Sequence, residues 1–241
     1  MKSIISKLAI VLFIAITCVS CSIDMFNKVT GNRNVVTENR NISEIFTGIK
    51  VSTGLDLYLS QSSKNNISVE ADENLQDIII TEVVDGILKI YSEKNIWSAK
   101  SRKVYVSIDK LNKLIATSGA DVRTEGKIFT DEISIRTTSG ADIRIAVDAS
   151  SVETNTTSGS EIRISGNAEN HASSANSGSS IKAYDLISKN VIAKVTSGAD
   201  IDIYASEIFE GKANSGGDID FKGNPKKVIK KSSSGGRISK K

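Results

Sequence analysis

Seven times between Ser118 and Ile238 the chain repeats one short phrase: S-G-A-D-V at 118–122, S-G-A-D-I at 139–143, S-G-S-E-I at 158–162, S-G-S-S-I at 177–181, S-G-A-D-I at 197–201, S-G-G-D-I at 215–219 and S-G-G-R-I at 234–238. The glycines fall at 119, 140, 159, 178, 198, 216 and 235, with spacings of 21, 19, 19, 20, 18 and 19 residues. Self-similarity at one period of this size marks a solenoid, in which no repeat buries its apolar face alone and each stacks on its neighbours.

Within a repeat the period is two. Three residues after the glycine stand Val122, Ile143, Ile162, Ile181, Ile201, Ile219 and Ile238, and three before it Ala116, Thr137, Thr156, Ala175, Val195, Ala213 and Ser232. Each repeat therefore reads as strand, tight turn, strand, with one face buried. Leucine-rich repeats would show regular Leu and Asn positions, and helical repeats a longer period; neither pattern is present. The expectation is an all-β chain forming a parallel β-helix, a single-stranded solenoid of about 19–20 residues per rung. At about 4.8 Å per strand, seven rungs span roughly 30 Å.

The turn demands a residue tolerant of positive φ, which glycine supplies without a Cβ clash. The same phrase occurs once upstream as S-T-G-L-D-L at 52–57, so Gly54 joins Gly119, Gly140, Gly159, Gly178, Gly198, Gly216 and Gly235 as turn-defining. Thr117, Thr138, Thr157, Asn176, Thr196 and Asn214, each before a Ser-Gly pair, are expected to stack into a polar ladder along the axis. Between Val83 and Ile90 an Asp85-Gly86 pair separates two apolar runs, the sign of an antiparallel hairpin. An irregular or hairpin cap over the N-terminal end reconciles it with a parallel solenoid. Asp72–Leu75 gives a faint helical turn, and Lys230, Ser232 and Lys240 on otherwise apolar columns mark a closing rung.

The first twenty residues lie outside that pattern. Lys2 and Lys7, an apolar run from Leu8 to Ile16, and the small-residue segment before Cys21 make an export signal, too short to span a bilayer. Its order resembles a bacterial lipoprotein signal, with Cys21 as the lipidated residue and Cys18 where such signals usually carry Leu. The expected organisation is a signal peptide over 1–20, a linker over 21–34 and one β-helix domain over 35–241, comprising an N-terminal part (35–115) and the Ser-Gly repeats (116–241). Removal of residues 1–20 takes the formal charge from +3 to +1 and leaves one cysteine. No internal disulfide is then available, and there is no global electrostatic reason to bind nucleic acid. The lysines 226, 227, 230, 231, 240 and 241 read as a solvated end.

Three stretches, Phe46–Leu59, Val69–Leu75 and Glu82–Ile90, resemble the opening of the putative auto-transporter adhesin family with a head GIN domain, and the Ser-Gly turns resemble its second half. The resemblance covers roughly residues 35 to 241. It implies a right-handed, pectin-lyase-like β-helix, no recognised catalytic residues and an adhesion role, the family being common among Bacteroidetes lipoproteins.

The outward position two after each glycine holds Asp121, Asp142, Glu161, Ser180, Asp200, Asp218 and Arg237; four after it come Arg123, Arg144, Arg163, Lys182, Asp202, Asp220 and Ser239. Stacked rungs make these an acid column beside a basic one, a solvated grid whose exposed pairs contribute about 0–1 kcal/mol each. Asp200, Asp202, Asp218 and Asp220 form a two-by-two acid patch with no basic partner in either column, the one candidate calcium site. Calcium takes six or more oxygens, however, and the sequence nominates only these four side chains.

Two acids suffice for sugar hydrolysis, but these acids recur by rung as structure does, and aromatics are only 5% of the chain. The sole histidine, His171, falls in a column of Ile133, Val152, Val191, Phe209 and Val228, and reads as a wall residue. Trp97, in a basic loop before Val104, is expected to pack under the cap, with partner contact as the alternative. No phosphate loop, dinucleotide fingerprint, nucleophile motif or Cys/His metal spacing occurs, so no cofactor is expected. The function expected is that of a non-enzymatic lipoprotein of the outer membrane, surface-facing or periplasmic, presenting its β-helix to a protein, a glycan or further copies of itself. A carbohydrate-active enzyme is the alternative.

Overall fold

The computed structural model describes residues 28–241, and in it every Ser-Gly pair makes a corner between two strands. In the turn Thr138-Ser139-Gly140-Ala141 the φ angles of Ser139 and Gly140 are 56° and 69°, and the Ala141 amide donates to the Thr138 carbonyl at 3.4 Å. Two successive left-handed residues define a type I′ turn. The serine thus shares the positive φ that sequence reasoning gave to glycine alone, and a short unbranched side chain bears it at lower cost than a β-branched one. Thr53 is the branched exception at 57°, and its hydroxyl accepts the Ser92 amide at 2.7 Å.

The corners stack through backbone. Gly119 donates to the Ser139 carbonyl, Gly140 to Ser158 and Gly178 to Ser197, each at 3.1 Å. The expected Thr/Asn ladder forms only in part: Thr117, Thr138 and Thr196 turn their hydroxyls to the serine of their own corner. Between rungs, side chains join at Thr157 with Asn176 and at Ser233 with Asn214. The turn already satisfies the hydroxyl locally, so the axial tie falls to the amides.

In chain order the strands are β1 (Lys28–Thr30), β2 (Val35–Asn39), β3 (Gly48–Val51), β4 (Asp56–Gln61) and β5 (Asn66–Asp72). After a short 3-10 helix over Glu73–Ile78, where the faint helical turn was expected, come β6 (Ile79–Val84), β7 (Ile87–Ser92), β8 (Asn95–Ser98), β9 (Arg102–Ile108) and β10 (Lys113–Thr117). The long bent strands β11 (Asp121–Thr138), β12 (Asp142–Thr156), β13 (Glu161–Ala175), β14 (Ser180–Val195) and β15 (Asp200–Ala213) each run from one corner to the next. β16 (Asp218–Lys222), β17 (Lys227–Ser232) and β18 (Arg237–Lys240) close the stack. From β10 and β4 onward every pairing along the stack is parallel, with the phrase in register: Ile143 pairs Ile162, which pairs Ile181, then Ile201, then Ile219.

At the N-terminal end space and sequence part company. β3 and β4, joined by the Gly54 corner, pair with β10 and β11 on one side but with β7 and β9 on the other, so the later rung lies outside the earlier one. β6 folds back on β7 around Asp85-Gly86 as the expected hairpin, and β5 runs antiparallel between β2 and β9. The stretch expected as linker is already structured at Lys28, since β1 pairs with β8. Asp72 holds it there: the buried carboxylate accepts the amides of Arg33 at 3.0 Å and of Lys100 and Ser101 at 3.1 Å. Burial alone would raise its pKa, but these amides hold it below the ordinary value.

The core is a set of stacked apolar columns running along the axis. Ile143, Ile162, Ile181, Ile201 and Ile219 are fully buried, each contributing about 1.5–3 kcal/mol relative to exposure. Midway the interior turns polar: Thr137 donates to Thr156 at 2.8 Å, Ser160 to Thr137 at 3.0 Å and Thr154 to Ser173 at 3.2 Å, all buried. At the C-terminal end Phe209 stacks on Phe221 with ring centroids 4.2 Å apart, and the ammonium of Lys230 lies 4.7 Å from the Phe221 ring. This plug and the polar last rung close the core.

Candidate functional site

The outward charge columns form in the register that their spacing predicted. Asp121, Asp142, Glu161, Ser180, Asp200, Asp218 and Arg237 pair in succession, with Arg123, Arg144, Arg163 and Lys182 beside them. Like charges one strand apart raise one another's cost. Burial and the flanking Asp121 and Glu161 push the Asp142 carboxyl up, whereas Glu161, though burial works against it, is held low by Arg163 and by Lys182 at 3.3 Å.

The acid patch is not free of cations. Arg237 reaches Asp218 at 2.9 Å and Lys241 reaches Asp220 at 3.1 Å, so the last rung supplies the bases that the two columns lack nearer the middle. Burial, and then the nearby Asp202 and Asp220 carboxylates, push the Tyr184 hydroxyl well above its ordinary pKa. Asp200 is pushed up by burial and then by Asp218, Asp202 and Asp220, which outweigh Arg237. Among the described residues no group of three or more His, Cys, Asp or Glu is placed to hold a metal ion.

A groove of about 540 Å³ opens beside the basic column, and it arises where the period breaks. The 21-residue rung has two residues too many between Arg123 and Lys127, which pair with Arg144 and Ala146; the 20-residue rung has extra chain between Ala183 and Ser188. β12 and β13 between them pair without interruption. Two bulges therefore stand up on either side of a recessed pair of strands. Ala146 and Ser165 line it from β12 and β13, Tyr184 and Asp185 from β14, and Arg123 and Arg144 from β11 and β12. The hydroxyl of Thr124 in the first bulge accepts the Ala146 amide at 3.1 Å, satisfying a donor that the bulge would otherwise strand.

Nothing in the column pattern pointed to this groove; the signal was in the unequal spacings. Arg163 and Lys182 on its rim are committed to Glu161. Among the described residues Arg123 and Arg144 make no ion pair. The ring of Tyr184 carries the Lys222 ammonium 4.2 Å from its centre.

Trp97 is not under the cap but 67% exposed, with the Lys28 ammonium 3.9 Å from its ring. β8 is too short and too near the edge to cover so large a side chain. His171 is the wall residue expected: fully buried between Val152 and Val191, with Nε2 2.9 Å from the Thr154 hydroxyl and Nδ1 without a partner. Burial depresses its pKa to about 4, so it is neutral at ordinary pH. The turn glycines from Gly54 to Gly235 all sit at corners with positive φ. Cys21 and the export signal lie outside the described residues.

The sequence profile of the family described as "putative auto-transporter adhesin, head GIN domain" matches residues 45–225. The chain belongs to this family. Solved structures share its fold over nearly the whole length. A "putative adhesin" of Bacteroides fragilis superposes with a TM-score of 0.81 at 20% identity, covering 88% of this chain and 100% of its own. A "putative adhesin" of Parabacteroides merdae gives 0.70 at 20%, covering 89% and 99%. A "putative lipid binding protein" of Parabacteroides distasonis gives 0.74 at 22%, also covering 89% and 99%. Among curated proteins none matches the sequence. The head GIN solenoid, and with it a cell-surface or envelope setting, is what this family membership brings.

Proposed function

We propose that the chain is a non-enzymatic adhesive module of the cell envelope, tethered by lipid at Cys21 and working by presenting the outer face of its solenoid to a partner. The observation that carries this reading, beside the family, is the polarity of the stack. β1 begins seven residues after Cys21 and pairs at the cap end, within at most roughly 25 Å of extended chain from the anchor. From there the rungs step away in one direction, β9, β4, β11 and on to β18, which at 4.8 Å each carries the last rung roughly 40 Å outward. A rigid stalk of repeated polar columns suits multivalent contact along its length. No helix among the described residues is long and apolar enough to cross a membrane, and the lipid supplies the attachment.

Two measurements test it. Expressed in a bacterial host, the mature protein should carry an acylated Cys21 at its N-terminus, and Cys21→Ser should move it to the soluble fraction; an unmodified N-terminus elsewhere defeats the tether. Beads coated with the purified chain should adhere to envelope or glycan surfaces without turnover. Polysaccharide cleavage that disappears when one Asp or Glu is replaced would make the protein an enzyme instead.

A further inference from the structure

We propose that the groove between the two bulged rungs binds a linear anionic polysaccharide, one bearing carboxylate or sulfate on successive sugars, with Arg123 and Arg144 as the anion-binding pair and Tyr184 as the wall against which a sugar packs. The inference deepens the adhesive reading and rests on it.

Its first support is shape. The two extra residues in the 21-residue rung and the extra chain at Tyr184 leave β12 and β13 recessed over a hollow of about 540 Å³, floored by the small side chains of Ala146 and Ser165. A small floor lets a pyranose ring approach the strands, and with bulges on β11 and β14 at its two sides the groove is open along the strand direction, across the stack. A linear polymer fits such a slot; a globular ligand does not.

The second support is charge. Arg163 and Lys182 already neutralise Glu161, but the guanidinium groups of Arg123 and Arg144 have no ion pair among the described residues. Their Cα atoms are partners on paired strands, about 4.8 Å apart, so both side chains leave the sheet on one side of the slot. Planar guanidinium presents its donors in a fork that matches carboxylate and sulfate. The acid column beside them, Asp121 and Asp142, selects against denser polyanions: a nucleic acid would bring its phosphates against these carboxylates, whereas one charge per sugar can seat on the arginines alone.

The third support is Tyr184. Its ring already carries the Lys222 ammonium 4.2 Å from its centre, which limits the orientations open to it before any ligand arrives. A larger hollow of about 960 Å³ near Phe129 lacks this character, since Asp109, Asp131, Glu132 and Asp148 outnumber Lys110 there.

The test is calorimetric titration of the full mature chain with a galacturonate tetramer, a sulfated tetrasaccharide and a neutral glucose tetramer. Binding is expected for one or both charged oligomers and not for the neutral one, weakening as salt is raised. Arg123→Gln and Arg144→Gln should each weaken it about tenfold, the loss of one charge-assisted contact. Ala146→Gln, which fills the floor without altering charge, should abolish binding, and Lys189→Gln, which breaks only the Lys189–Glu169 pair, should leave it unchanged. Neither arginine has a partner to lose, so urea midpoints should match the parent. Equal affinity for the neutral oligomer, parental affinity in both arginine variants, or no charged oligomer bound at millimolar concentration would overturn the assignment. If the charged oligomers do not bind while bead adhesion persists, the groove falls and the adhesive reading stands; if the oligomers are cleaved, that reading falls with it.

Discussion

Replacing Gly166 by alanine should destabilise the protein far more than the same change at Gly140, although Gly140 belongs to the conspicuous repeated phrase and Gly166 does not. Gly166 sits in β13 with φ of 114°, and a Cβ built on it would lie 1.9 Å from the carbonyl oxygen of Val147 on the neighbouring strand. That oxygen is backbone within an uninterrupted pairing, so it has nowhere to move. A residue forced from a glycine-only conformation, with a clash added, should lose about 3 kcal/mol or more. At Gly140 the φ is 69°, but nothing lies within 4 Å of the added Cβ, and only the left-handed penalty of about 1–2 kcal/mol applies. For a chain of this length each kcal/mol lowers Tm by about 2–4 °C. Thermal melts should therefore show a drop of roughly 6–12 °C or outright misfolding for Gly166→Ala, against roughly 2–8 °C for Gly140→Ala. Gly223, whose added Cβ would meet the Ala205 carbonyl oxygen at 2.0 Å, should behave like Gly166. Equal losses at 140 and 166 would mean that β13 relaxes away from Val147.

Below neutral pH the stability of the protein should fall through His171, and His171→Val should remove that part of the loss. The folded-state pKa is depressed to about 4 by burial, from an unfolded value near 6.5. A depressed histidine takes up its proton in the unfolded chain first, so the full stability is present above about pH 6.5 and declines as pH falls towards 4. At pH 5 the two pKa values predict a deficit of about 2 kcal/mol relative to neutral pH. Valine matches the Val152 and Val191 on either side and removes the unpartnered Nδ1; Thr154 keeps its bond to Ser173. Near pH 7.5 the variant should therefore lie within about 1 kcal/mol of the parent and gain about 2 kcal/mol on it by pH 5. Urea titrations across this range measure the difference directly, and the carboxylates common to both proteins cancel. Parallel pH profiles would show that His171 reaches solvent or finds an acceptor for its second nitrogen.

Much of this molecule could be read before its coordinates. The alternation about each glycine named the buried Ile column from Ile143 to Ile219, because a strand with one face in a solenoid core has no freedom to slip by one residue without exposing every apolar side chain. The Asp85-Gly86 hairpin was legible for a similar reason: its turn chemistry is local, and so is that of the Ser-Gly corners. The charge columns followed from the same register, since side chains on stacked strands lie where the period puts them.

What only the tertiary structure decided depends on non-local contact. No local signal tells that β7 and β9 lie outside β3 and β4, since either order buries the same columns and the choice turns on how β2, β5 and β6 wrap the end. Asp72 at the centre of that wrap looks in sequence like any acid before a helical turn. Arg237 and Lys241 meet Asp218 and Asp220 because the final rung folds onto the one before it, a pairing that columns counted from the glycine miss for Lys241. Trp97 lies exposed because β8 ends the sheet rather than entering the core. The groove belongs to both kinds of information: its cause is the spacing of 21 and 20 residues where neighbours have 19, but the extra chain could leave the stack at any point of the rung. It leaves beside Arg123 and at Tyr184, and that placement makes a charged hollow out of a regular wall.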